Sequence, residues 1–315
     1  MDSSKRYHCH FNNRNLQPAE HSPMAANRCV YATLLSDASY LVGVQVLAAS
    51  LQRNESVHRL VVLITDNLEY DDLARCLCKQ SIVECRRVTP LHVGCADGAQ
   101  TAYAFQRFEN VWSKLNVFNL VEYDKVCLMD ADMLTLHNMD EVFAYLPAGA
   151  TTIAAAPACV CNVTSNPSYP AHWHPSNCLH TYNGAGIRAP ATLPRREFNS
   201  GLVVLKPSVA VFSHMVAALS AKSDLSAYSF ADQDFLNELF PGWIELPYVY
   251  NALKTLSVHH ADVWRMDQVK NVHYILEKPW KVHPETNKEE FEASPYKTLN
   301  QIWWDVYKTI VSMHA

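Results

Sequence analysis

Apolar positions along the chain follow two alternating periods. Cys29-Val30-Tyr31-Ala32-Thr33-Leu34 is an apolar run of strand length, and Leu41, Val44, Ala48 and Leu51 follow at helical spacing. Leu60–Thr65 repeats the run, Tyr70–Gln80 the helical spacing, and Ile82–Val88 the run again. This order predicts right-handed βαβ units over a parallel sheet, an α/β architecture whose first hundred residues form a nucleotide-binding half. A further apolar run, Tyr123 to Met129, predicts a buried strand. The Pro- and Cys-rich stretch from Pro157 to Pro194 carries few helix or strand signals and reads as an irregular loop system near the acceptor side. Regular structure resumes with Gly201–Leu205, a helix whose Val209, Phe212, Val216 and Leu219 are predicted as core, and a helix through Asp232–Leu239. No repeat, low-complexity tract or clear linker interrupts the pattern. The expected organisation is a flexible polar tail, residues 1–27, followed by one domain, residues 28–315, with a C-terminal helical extension.

Ligands of such sheets bind beyond the carboxyl ends of strands, so polar residues just after an apolar run mark the place to look. Asp66, Asp130 and Asp132 occupy such positions. Asp130 and Asp132 leave the Tyr123–Met129 run together, one residue apart, with the small Ala131 between them. Two carboxylates at a strand end suit a hard divalent cation, which can bridge diphosphate oxygens and offset the charge of a leaving nucleotide. Taken alone, Asp-x-Asp is also a common solvated turn.

Composition narrows the class. Half the chain is apolar, 18% is charged, and 26 basic against 31 acidic residues give a net charge of −5 without any basic stripe. That balance excludes a nucleic-acid binder. The longest apolar stretches, such as Leu41–Leu51, fall short of the roughly 20 residues of a membrane span. The polar N-terminus lacks the apolar core of a secretory signal, and the ten cysteines are scattered, several within core runs (Cys29, Cys76, Cys127). Reduced thiols and a cytoplasmic location are expected, with the sequons at Asn54 and Asn162 unused. Cys159, Cys161 and Cys178, with His172 and His174 among them, have the residue types of a zinc site. Their spacing lacks the Cys-x₂₋₄-Cys modules of structural zinc, so a buried or loop-stapling cysteine cluster is the expectation.

The motifs together resemble the retaining glycosyltransferases of family eight, over about Arg28 to Lys308. Asp130-Ala131-Asp132 with Asn138-Met139-Asp140-Glu141-Val142-Phe143 resembles the family's metal-binding turn, and Arg107-Phe108-Glu109-Asn110-Val111-Trp112-Ser113-Lys114-Leu115 its donor-side helix. Phe198-Asn199-Ser200-Gly201 resembles its substrate loop and Ala231-Asp232-Gln233-Asp234-Phe235-Leu236-Asn237 its acidic helix. Val272-His273-Tyr274 with Lys278-Pro279-Trp280 resembles its final metal and phosphate motif. Within the family the likeness is to galactinol synthases, which pass galactose from UDP-galactose to myo-inositol, and more distantly to glycogenin. Cys159-Val160-Cys161 and Ile302-Trp303-Trp304-Asp305-Val306-Tyr307 carry that ranking. Plant members usually have Gly where Ala131 stands, and Cys161 to Arg196 differs in length and content, so the acceptor stays open.

The resemblance implies an A-type glycosyltransferase fold, a Rossmann-like, mainly parallel sheet flanked by helices. It implies a metal held by Asp130, Asp132 and His273, a ligand set that suits Mn²⁺ better than Mg²⁺. Thr33 and Tyr40 would contact the uracil of a UDP-sugar, and Asp37 serves equally as a helix N-cap. Lys114 would neutralise the donor or pair with an aspartate, and Lys278 would meet a phosphate. Ala131, Ser200 and Gly201 complete the donor contacts, while Asn199, Asp232 and Gln233 face the reacting sugar. The partners implied are a small-molecule donor and acceptor, with no nucleic acid and no membrane span, and a homodimer is compatible. Two other readings stand beside this one. Glycogenin-like self-glucosylation needs a tyrosine near the site, and a non-catalytic nucleotide-sugar binder would not need the complete Asp130, Asp132, Asp232 and His273 set. A nucleotidyltransferase would carry a Gly- and basic-rich phosphate loop after the first strand, and Thr33–Tyr40 offers none.

Overall fold

In the computed structural model the described residues are 28–91, 106–190, 196–222, 224–225 and 227–314, and the expected tail, residues 1–27, lies outside them. The first half forms as its pattern dictates: β1 (Cys29–Leu35), α1 (Leu41–Arg53), β2 (Leu60–Thr65), α2 (Tyr70–Leu77) and β3 (Val83–Val88). α2 stops at Leu77 and not at Gln80, because turn bonds from Gln80 N to Leu77 O and from Val83 N to Gln80 O, both 3.0 Å, take over there. Then come β4 (Lys125–Met129), β5 (Met133–Thr135), β6 (Ala154–Pro157), α3 (Leu179–Gly184), β7 (Phe198–Leu205) and α4 (Val209–Ser220). The chain closes with α5 (Asp232–Leu239), β8 (Ile244–Glu245), β9 (Ala252–Leu253), α6 (Leu256–His259), β10 (Asn271–His273), α7 (Lys288–Ala293) and α8 (Lys297–His314).

Seven strands make the main sheet in the order β3-β2-β1-β4-β7-β6-β8. β1, β2, β3 and β4 are mutually parallel, and β7 runs antiparallel to both β4 and β6. This reversal matters for the site. Met129 pairs with Leu202, so the start of β7 lies beside the end of β4, where the two aspartates emerge. Phe198-Asn199-Ser200-Gly201, expected as a loop, is therefore the first half of a strand. The side chain of Asn237, on α5, acts as its hydrogen-bonding neighbour: Oδ1 accepts from Phe198 N and Nδ2 donates to Phe198 O, each at 3.0 Å.

Helices cover both faces of the sheet, which is why its strands read as unbroken apolar runs. Tyr31, Val62, Cys127, Met129 and Val204 pack toward α1 and α2, whereas Val30, Val61, Leu128 and Val203 pack toward α4, α5 and the 3₁₀ segment Gln106–Asn119. α4 contributes less than its periodicity suggests. Met215 and Leu219 are its buried residues, Phe212 and Val216 are half-buried, and Val209 is exposed, because the helix packs chiefly against the 3₁₀ segment Gln106–Asn119. A small second sheet, β5-β10-β9, carries a third core with Tyr274, Phe291, Trp303 and Trp304, clamped by α8. Among the described residues no helix is long and apolar enough to cross a membrane.

Asp140 ties the back of the sheet together. Its Oδ1 accepts from the hydroxyls of Tyr31 and Ser56, each at 2.8 Å, and its Oδ2 from Val57 N at 3.0 Å. Tyr31 is wholly buried, so removing the acceptor strands its hydroxyl. Asp140→Ala is expected to lower unfolding free energy by roughly 2–4 kcal/mol in urea denaturation, against ~1 kcal/mol for Tyr31→Phe. Equal, small losses from both would show that the carboxylate is not the organising group.

Candidate active site

The end of β4, the start of β7, the start of α5 and the end of β10 converge on one cavity. Its walls include Tyr40, Lys114, Asp130, Asp132, Asp232 and Lys278. Asp130 begins where β4 stops, with its backbone N–H donating to Gly201 O at 2.8 Å, and Asp132 O accepts from Tyr274 N at 2.9 Å. The Asp-x-Asp turn is thus pinned between β7 and the strand that delivers His273. Gly201 makes the close approach feasible: a Cβ there would lie 2.3 Å from His273 Cε1 and 2.7 Å from Nδ1.

His273 Nε2 lies 3.3 Å from Asp132 Oδ1 and 3.6 Å from Asp130 Oδ2. Its Nδ1 is 2.9 Å from Asn251 Oδ1, and Asn251 Nδ2 donates to Asn199 Oδ1 at 2.9 Å. Asn251 Oδ1 is therefore an acceptor, which puts a proton on Nδ1 and leaves Nε2 facing two carboxylates. Two carboxylate oxygens and one imidazole nitrogen, all within 4.8 Å of one another, fit a divalent metal ion.

The surrounding charges point the same way. Lys114 Nζ lies 2.7 Å from Asp130 Oδ1 and 3.5 Å from Asp232 Oδ2, and Lys278 Nζ pairs with Asp132 Oδ2 and donates to Tyr274 O at 3.1 Å. Burial pushes the Asp132 carboxyl up, but Lys278 and His273 outweigh it and hold the group well below the usual carboxylate range. Burial also opposes the charge on Lys114, yet Asp130 and Asp232 keep its pKa above the ordinary lysine value. Asp232 is raised, by burial first, with Lys114 opposing and Asp130 adding to the shift. Three carboxylates against these two lysines leave a net negative cluster, which a divalent cation would turn into a receptor for a diphosphate. A third lysine, Lys254, is buried behind them, donating to Glu277 O. Burial and the neighbouring Lys278 lower it to about 8.

Asp232 and Gln233 open α5 but do not cap it. No side-chain bond caps this helix end, and the turn-like bond there comes from Asp234 Oδ2, which accepts from Phe230 N at 2.8 Å. Asp232 Oδ2 instead accepts from the Ser200 hydroxyl at 2.9 Å, and Gln233 Oε1 from Asn199 Nδ2 at 2.9 Å. A chain of oriented amides therefore runs from His273 through Asn251 and Asn199 to Gln233. Asp37 does act as a cap, accepting from Ser39 N at 2.8 Å.

Most of the predicted site residues meet at this cavity: Tyr40, Lys114, Asp130, Ala131, Asp132, Asn199, Ser200, Asp232, Gln233, His273 and Lys278 line it. Gly201 stands behind them against the His273 ring. Thr33 does not reach the cavity; its side chain is wholly buried in β1, and Leu34, Ser36 and Asp37 form that part of the wall. Asp66 is exposed after β2, away from the cavity. Sequence reasoning missed Asn251 and the aromatic wall of Tyr169, Trp173 and Phe230, in which Trp173 and Phe230 stack at 4.4 Å with an 11° interplanar angle. No local signal marks Asn251, because its role exists only through partners 52 and 22 residues away.

The chain belongs to glycosyl transferase family 8, whose pattern matches residues 32–283, and it is a retaining glycosyltransferase. It is 27% identical to galactinol synthase 2 of Arabidopsis thaliana over 94% of this chain and 85% of that one. It is 29% identical to galactinol synthase 1 of Solanum lycopersicum over 91% and 84%. Among solved structures it is similar to galactosyltransferase LgtC in complex with donor and acceptor sugar analogues, with a TM-score of 0.57 and 16% identity over 89% of this chain and 95% of that chain. That likeness bears out the A-type glycosyltransferase fold.

Gly201→Ala tests the packing of the site. The added methyl must displace the His273 ring, so Mn²⁺ affinity measured by calorimetry is expected to fall at least about tenfold, ~1.4 kcal/mol, with the far-ultraviolet spectrum unchanged. Unaltered affinity would remove His273 from the metal site.

Proposed function

We propose that the chain transfers a hexosyl unit from UDP-galactose or UDP-glucose to a small polyol or sugar, as its likeness to galactinol synthases suggests. The observation that carries this reading is the meeting of the Asp130–Asp132–His273 triad, two lysines and the Asp232–Gln233 pair around one cavity. A divalent ion bound by the triad, Mn²⁺ in preference to Mg²⁺ given the imidazole ligand, would stabilise charge developing on the leaving diphosphate. Lys278 and Lys114 extend the cationic surface along the phosphates. Lys114, shared between Asp130 and Asp232, also opposes the penalty that burial places on the Asp232 charge. Asp232 and the Gln233 amide present polar atoms to the sugar's hydroxyls and anomeric carbon, where a fixed carboxylate favours an oxocarbenium-like transition state. The Trp173–Phe230 wall offers apolar faces on which the C–H side of a sugar or cyclitol can rest. Tyr40, which meets Trp280 edge-on at 5.5 Å, would flank the uracil.

Screening UDP-galactose, UDP-glucose, UDP-N-acetylglucosamine and UDP-glucuronate for UDP release, with and without myo-inositol, identifies donor and acceptor. Release that rises with myo-inositol supports the reading. Hexose-step mass gains on the chain itself would instead indicate self-glycosylation, and no release with any donor would indicate a binder.

Two sets of variants probe the roles. Asp130→Asn or Asp132→Asn is expected to abolish transfer, and activity within about tenfold of wild type in saturating Mn²⁺, a barrier change of only ~1.4 kcal/mol, would sink the metal assignment. Asp232→Asn is expected to lower turnover by roughly 10²-fold or more with UDP affinity nearly unchanged, the pattern of an interaction made mainly in the transition state. A large loss of UDP affinity in that variant would move Asp232 to supporting the metal or phosphates.

A further inference from the structure

A second cluster of ligand-type side chains lies outside the triad. Cys159 and Cys161 follow β6, Cys178 immediately precedes α3, and His260 immediately follows α6. His260 Nε2 lies 3.2 Å from Cys161 Sγ, 3.5 Å from Cys159 Sγ and 3.8 Å from Cys178 Sγ, and the four ligand atoms all lie within 4.8 Å of one another. The three cysteines are free thiols. The two histidines that sequence spacing put near them are engaged elsewhere: His172 Nε2 pairs with Glu197 Oε1 at 2.7 Å, and His174 Nδ1 caps the Ser176 turn. The fourth member comes instead from 82 residues beyond Cys178.

We propose that Cys159, Cys161, Cys178 and His260 form a structural Cys₃His zinc site. In a tetrahedral zinc site with Zn–S near 2.3 Å and Zn–N near 2.0–2.1 Å, sulfur and nitrogen ligands stand about 3.5 Å apart. The three S···N separations bracket that value. The donor chemistry separates this site from the triad, since three sulfurs and an imidazole select a soft or borderline ion, and two carboxylates with an imidazole a harder one. Four protein ligands would fill the positions of a tetrahedral ion and leave none open for substrate; Cys178 is fully buried, His260 nearly so, and Cys159 and Cys161 are half-buried, with Cys159 at the cavity wall. On binding, the three thiols release their protons and become thiolates, the imidazole contributes its lone pair, and no electron is transferred.

The site's place in the fold gives it a task. Between Cys161 and Cys178 the chain has no helix or strand longer than a single 3₁₀ turn, yet Asn162, Val163, Thr164, Tyr169 and Trp173 line the cavity. Irregular segments of this length need something to hold them. One ion would tie both ends of the segment to the C-terminal end of α6, beyond β9, and so fix the aromatic wall against the small sheet that carries His273.

The test begins with the wild-type chain, expressed with zinc in the medium and dialysed against EDTA. Plasma mass spectrometry is expected to find about one zinc per chain, retained in Asp132→Asn and lost in Cys178→Ser and His260→Ala. Replacing zinc with Co²⁺ should give thiolate-to-cobalt charge-transfer absorption and intense tetrahedral d–d bands, and stripping the zinc should raise hydrogen exchange in residues 162–177 but not in β1–β4. The cobalt spectrum is read on the wild-type chain, so misfolding of a variant does not blunt the test. Zinc below about 0.1 per chain, a cobalt derivative without thiolate bands, or a disulfide among these cysteines would overturn the site. Unchanged exchange after stripping would overturn its stapling role.

Discussion

Three carboxylates are held at the carboxyl edge of the sheet with little water to solvate them, and the rest of the structure answers to that constraint. A buried charge that loses its partner costs several kcal/mol, so Asp130, Asp132 and Asp232 oblige the fold to deliver cations to the same place. Lys114 comes from the segment before β4 and Lys278 from the far side of β10. The reversal of β7 lets the Ser200 hydroxyl reach Asp232 while its neighbour Gly201 clears the way for His273. Each local choice that looks odd alone, a missing side chain at 201 or an antiparallel strand in a parallel sheet, follows from that need.

The polar side chains around the carboxylates are oriented by one another and not by solvent. Asn251 fixes the tautomer of His273 and the direction of Asn199, and Asn199 fixes Gln233. Because every amide has one donor end and one acceptor end, reversing any of them would set like against like along the whole line. A site arranged this way is organised before substrate arrives, which is where much of the catalytic power of transferases of charged donors is expected to come from.

How much of this is legible in the sequence depends on the range of the cause. β1, β2, β4 and the helices between them are written in local periodicity, because burial on both faces demands continuous apolar runs. Asp130 and Asp132 are legible for the same reason, as carboxylates that end such a run. The Phe198–Gly201 stretch reads as loop because the hydrogen-bonding neighbour of its first residue is a side chain, that of Asn237, whose contribution no periodicity records. Thr33 enters as a contact through the family resemblance, whereas the strand continues to Leu35 and keeps the threonine inside. His260 and Asn251 are illegible locally, since each matters only to residues brought near by the closing of the small sheet.

The separation of Asp132 from Lys278, 146 residues along the chain, has a consequence for how the protein is made. On the ribosome the parallel strands, Lys114 and its partner Asp130 emerge well before β10 and Lys278, the partner of Asp132. Until then Asp132 lacks its lysine, and its charge is best left open to water. The stretch from β10 onward thus acts as the step that seals the site, and a nascent chain stalled before it would have its main sheet and an unfinished chemistry.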